Sequence, residues 1–141
     1  MKDNLLRLSV TVVLVHAALT LPHGIAHAAE EAYLPAPANA FVAIVIVTAP
    51  VVALGLLLRR RRRLGGQLLL ISMLAALLFG VVFHYVLPGP DHVASVPAEP
   101  WQLLFQVTAG LLALSEAIGA LVGALILYRL YRAPSQVSVR L

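Results

Sequence analysis

Cysteine is absent from this chain, and charge is scarce. Without cysteine there are no disulfides, no iron–sulfur ligation and no thiolate chemistry. Met1 and Met73 are the only methionines, so the soft sulfur ligands that Cu(I) prefers are nearly missing as well. Charged residues make up 11% of 141 positions and hydrophobic ones 61%, with a mean hydropathy of +0.95. A soluble domain of this length needs far more polar surface, so the composition points to an integral membrane protein. Also missing are a phosphate-binding glycine loop, a dinucleotide fingerprint, a serine elbow and an HExxH zinc motif. Ordinary hydrolase or transferase catalysis has no support, and an enzyme is not the expectation.

What is present is a set of four apolar runs, at about residues 5–29, 40–58, 64–87 and 101–128. Each meets or approaches the roughly 20 residues that a spanning helix needs. The ten basic residues are confined to Lys2, Arg7, Arg59 to Arg63, Arg129, Arg132 and Arg140. All of them fall on one side of a four-span arrangement. By the positive-inside rule that side is cytoplasmic, with both termini, and the segments near 30–39 and 88–100 face outward. The expected fold is therefore an all-α, up-down-up-down bundle of four transmembrane helices, one membrane domain over residues 1–132. Residues 133–141 read as a short disordered cytoplasmic tail. The net charge of +4 is no sign of nucleic-acid binding, because the five-arginine run fits a topology anchor at anionic lipid headgroups.

Packing signals are plain. Pro22 and Pro50 lie inside spans one and two, and each leaves the carbonyl four residues earlier, Ala18 or Ile46, without its usual donor. Ser72, Ala76 and Gly80 recur every fourth residue, and Gly119 with Gly123 forms a G-x-x-x-G pair. Small residues at that spacing let helices approach closely, within the chain, in a homo-oligomer or against a membrane-protein partner. Tyr33, Tyr85 and Trp101 near one boundary and Tyr128 and Tyr131 near the other fit an aromatic belt.

The remaining polar residues carry the functional content. At about 100° per residue, His16, His23 and His27 fall within roughly 40° of one another on the first span. Thr20 shares the stripe, and Glu30 and Glu31 prolong it. Polar groups on a lipid-buried helix need partners from other helices. His16 and Glu116 both lie near the middle of their spans, which predicts a midplane pair across helices one and four. His23 and His27 are i, i+4, a spacing that lets two imidazoles reach one metal ion. His84 belongs at a similar height on span three, with Asp91, His92 and Glu30 on the adjoining loops. The predicted metal ligands are thus His23, His27 and His84, with Asp91, His92 and Glu30 as additions. Nitrogen and oxygen donors suit Zn, Cu(II), Fe or Mn.

The expected role is metal binding or metal-dependent redox support at the outward face. Its chief rival is a non-catalytic accessory subunit of a larger membrane complex. A b-type haem between His23 or His27 and His84 is a further alternative, weakened by the lack of outward cations for its propionates. A proton or ion relay through His16, Thr20, His23, His27 and Glu116 is another, weakened by the scarcity of polar groups beyond Gln67 and Ser72 on the cytoplasmic side. The set HGxxH, FGxxxH, PDH and ExxG resembles a signature of small prokaryotic membrane proteins, and the expected location is a prokaryotic plasma membrane. Residues 1–30 also read as a secretory signal, with Ala26-His27-Ala28 as the cleavage motif. Against that, the apolar run is long for a signal and is interrupted by His16 and His23.

Overall fold

The computed structural model describes residues 3–30, 33–95 and 100–132. Lys2, Glu31, Arg140 and the rest of the 133–141 tail lie outside the described residues. Those described residues are helical or turn, with no strand among them. Helix α1 covers Asp3–Ala29. Helix α2 (Ala36–Phe41) runs through a π-helical segment (Val42–Thr48) into α3 (Ala49–Leu58). Helix α4 (Arg62–Val81) ends in a second π-helical segment (Val82–Val86), and α5 covers Gln102–Arg132. Taken as continuous rods these make four helices long and apolar enough to cross a membrane: Asn4–Ala29, Ala36–Leu58, Arg62–Val86 and Gln102–Arg132.

Their surfaces fit that reading. Leu14, Leu21, Ile44, Ile71, Leu103 and Leu121 are all more than half exposed, as side chains facing lipid would be. Hydroxyls inside the spans are satisfied locally, Ser9 by the Leu5 carbonyl and Thr48 by that of Ala43. These bonds keep the buried Ser9 hydroxyl and the exposed Thr48 hydroxyl from standing unpaired in an apolar medium.

Proline dictates the first π-helical segment. Pro50 has no N–H to offer the Ile46 carbonyl, and just before it the ladder widens, Ala49 donating five residues back to Ile44. The Ile46 carbonyl is met from another helix, by a ring nitrogen of His16 at 3.1 Å.

Helices α4 and α5 form the closest pair, and glycine is the reason. A Cβ built on Gly123 would stand 2.6 Å from the Leu70 backbone nitrogen, and one on Gly119 would stand 2.8 Å from Met73 Cγ. Only a hydrogen fits against the Leu70 backbone at Gly123, while at Gly119 a larger group would have to push the Met73 side chain aside. Around this seam sits the apolar core, with Leu69, Met73, Val122 and Ile126 joined by Val13 of α1 and Leu57 of α3. The arginine-rich end is fixed next to it. Arg63 places its guanidinium over the Tyr131 ring at 5.9 Å, and Arg132 lies over Tyr128 at 4.7 Å. The α3–α4 turn there is a Schellman closure. Arg61 N–H donates to Leu56 and Arg60 N–H to Leu57, with Arg60 itself at φ 60°, where glycine is the usual occupant.

The opposite end is tied by a folded loop. Beyond the second π-helical segment the chain turns back, and Val93 N–H donates to the His84 carbonyl at 3.0 Å. Gln106 of α5 holds the same loop through its amide on the Val93 carbonyl, 2.9 Å. Asp91 is thereby carried inside, only 4% exposed.

Candidate metal centre

Three imidazoles meet beneath this loop. His23 and His27 leave α1 from successive turns, and His84 comes from the π-helical end of the third rod. Their ring nitrogens lie within 4.8 Å of one another, an arrangement that could hold a metal ion. His23 Nε2 is 3.3 Å from His84 Nε2 and 3.2 Å from His27 Nε2. Phe105 of α5 backs all three rings, its centroid 5.1, 4.9 and 5.4 Å from those of His23, His27 and His84.

Hydrogen-bond accounting assigns the tautomers. Thr108 Oγ1 lies 2.6 Å from the Leu104 carbonyl and 3.1 Å from that of Phe105, so its one hydrogen points at backbone. That oxygen can then only accept from His23 Nδ1, 2.9 Å away. His84 Nδ1 lies 2.9 Å from the Asp91 carbonyl, which is also an acceptor alone. In both neutral rings the hydrogen therefore sits on Nδ1, and both Nε2 atoms present lone pairs. Two lone pairs facing each other at 3.3 Å call for a cation between them, either a proton or a metal. This is also how metal-binding histidines are held, with the far nitrogen donating to a fixed acceptor.

The Asp91 carboxylate adjoins the cluster. Its Oδ1 is 3.2 Å from His27 Nε2 and its Oδ2 3.5 Å from His84 Nδ1. Neither contact is aligned as a hydrogen bond, and both oxygens are buried without one among the described residues. A buried carboxylate in that condition is costly unless a positive charge accompanies it. The other two predicted additions are not drawn in. His92 accepts a backbone hydrogen from Ala94 at 3.2 Å within its own turn. Glu30 stands outside the three-histidine group, with Oε1 buried and unbonded among the described residues.

The deeper pair forms a separate site. His16 Nδ1 lies 3.9 Å from Glu116 Oε1 and 3.4 Å from Ser115 Oγ. Because His16 Nε2 donates to the Ile46 carbonyl, Nδ1 carries the lone pair. Ser115 already gives its hydrogen to the Leu112 carbonyl, 2.9 Å, so it does not donate to that nitrogen, and Glu116 at 3.9 Å is beyond hydrogen-bond reach.

Three participants were not among the sequence candidates: Thr108, Ser115 and Phe105. One signal was available. Thr108 and Ser115 are seven apart, which puts both hydroxyls on one face of α5 next to Glu116. Phe105 gives no such signal, since apolar residues occupy every face of that helix.

Compared with models of known protein families, with curated proteins and with solved structures, the chain matches none. The fold and site define a class all the same: a four-helix chain fit to cross a membrane, with a buried three-histidine cluster at one end.

Proposed function

We propose that this is a metal-binding membrane protein that holds one divalent transition-metal ion on His23, His27 and His84, with Asp91 beside it. The observation that carries this reading is the convergence of three Nε2 atoms, that of His23 lying 3.2 Å from that of His27 and 3.3 Å from that of His84. Zinc–imidazole bonds of about 2.0–2.1 Å in tetrahedral array separate neighbouring nitrogens by about 3.3–3.4 Å. His23 stands at that spacing from both His27 and His84, and Thr108 and the Asp91 carbonyl orient His23 and His84. Zinc suits the donor set best, and Cu(II), Fe and Mn share its preference for nitrogen and oxygen. Bound there, the ion would act as a Lewis acid and neutralise Asp91.

By the positive-inside rule the arginine-rich end is cytoplasmic, so the metal sits at the outward mouth of the bundle in a plasma membrane. This suits metal capture or support of redox chemistry on that face.

The test is metal analysis of the full chain purified in detergent, beside His23→Ala and His84→Ala. One zinc per parent chain is expected, lost in both variants and released as pH falls, since imidazole ligands must be unprotonated. Substoichiometric metal in the parent, or equal metal in all three proteins, overturns the proposal.

A further inference from the structure

A cavity of about 280 Å³ runs from the histidine cluster to Glu116. Its walls are largely apolar, with Val42, Ile46, Ala76, Phe79 and Leu112 among them. Gly80 keeps it continuous. A Cβ there would stand 3.8 Å from both Glu116 Oε2 and His84 Cδ2, so a larger side chain would fill the space between carboxyl and triad. The cavity is blind beyond Glu116, because one turn along α5 Gly119 and Met73 are packed together. That shape belongs to a binding pocket and not to a channel.

The polar groups in its wall select the occupant. Asp91 and Glu116 both line it, with no lysine or arginine. Thr20 has given its hydrogen to the His16 carbonyl at 2.8 Å, and Asn39 an amide hydrogen to that of Leu34 at 2.9 Å. The Nδ1 hydrogens of His23 and His84 are engaged as described. Around Glu116 the wall therefore offers lone pairs and negative charge, while the donors of Tyr33 and His27 belong to the part of the lining contributed by the histidine cluster and the 33–39 segment. Glu116 is only 4% exposed and makes no hydrogen bond among the described residues, with His16 Nδ1 3.9 Å from its Oε1. A buried carboxylate facing an apolar hollow lacks a donor.

Access is lateral. A second groove, lined by Val13, His16, Leu21 and Val51, shares Thr20, Gly24 and Ala28 with the cavity. Only small side chains of α1 separate the two, and a Cβ on Gly24 would meet nothing within 4 Å.

We propose that the cavity binds a small membrane-dissolved amine as its ammonium ion, with N–H donated to Glu116 and the apolar body laid along Phe79 and Ile46. A neutral alcohol of the same size would gain the apolar contacts and could donate to the carboxylate, but without the positive charge that pairs with it. This site rests on Glu116, Gly80 and the cavity walls, independently of any metal on the triad.

The experiment uses the full chain in lipid nanodiscs and follows a fluorinated hexylamine and the matching fluorinated hexanol by fluorine NMR, with empty discs as the blank. Each is measured with a chelator and with zinc. The parent is expected to bind the amine at least about tenfold more tightly than the alcohol, as a charged hydrogen bond implies. Glu116→Gln should remove that preference while keeping alcohol binding, and Gly80→Leu should remove binding of both. Equal affinity for amine and alcohol in the parent overturns the proposal, and needs no variant. So does an amine affinity unchanged by Glu116→Gln, or one lost in His23→Ala, which would seat the amine at the triad. Amine binding that persists in a protein taking up no zinc counts against the metal reading alone.

Discussion

Thr108→Val tests whether the histidine cluster is a tuned site or three rings that happen to meet. Valine keeps the size and β-branching of threonine but has no oxygen to accept from His23 Nδ1, 2.9 Å away. His23 would lose the acceptor that fixes its tautomer, and a hydrogen on Nε2 would occupy the lone pair meant for the metal. Loss of such an outer partner lowers metal affinity about 10- to 100-fold, equivalent to about 1.4–2.8 kcal/mol. A buried N–H left unpaired costs a similar amount, about 1–3 kcal/mol, so two routes give one magnitude. The assay is a zinc competition titration against a chromogenic chelator in detergent, with circular dichroism as the check on helix content. Thr108→Ser, which keeps the hydroxyl, should bind within a few-fold of the parent. A valine variant that binds zinc as tightly as the parent would refute the tautomer reasoning. A serine variant as weak as valine would show that packing against Phe105, not the acceptor, is what matters.

Two further outcomes concern stability. Gly123→Ala should destabilise the α4–α5 pair by about 1–3 kcal/mol, because the obstruction is Leu70 backbone at 2.6 Å and cannot rotate aside. Gly55→Ala, with nothing within 4 Å of the new atom, should be neutral or stabilising by up to about 1 kcal/mol; thermal melts in one detergent compare the two. Arg60→Gly should raise the melting temperature, since an L-residue at φ 60° carries about 1–2 kcal/mol of strain that glycine lacks. No rise would mean that the arginine side chain offsets the strain through contacts of its own.

Much of the site was legible because helical geometry is local. The i, i+4 spacing of His23 and His27 places both rings on one face wherever α1 goes. The length and apolarity of four runs fix four helices in the same way, since backbone in lipid must satisfy its own hydrogen bonds. Pro50 announces a carbonyl without a donor for the same local reason. What spacing does not contain is the partner. His16 is 3.9 Å from Glu116, but its hydrogen bond goes to Ile46 of another rod.

The sequence by itself determined four helices long and apolar enough to cross a membrane and the histidine face of α1, because composition and periodicity along one chain decide these. Only the tertiary structure decided which of five histidines converge, and that Asp91 turns inward while His92 stays in its turn. It also decided the tautomers, since these depend on Thr108 and the Asp91 carbonyl, contributed by parts of the chain that α1 meets only on folding. The cavity behind the triad belongs to the same category. It exists because Gly80 faces Glu116 across a helix seam, and a hollow between helices has no pattern in any one of them.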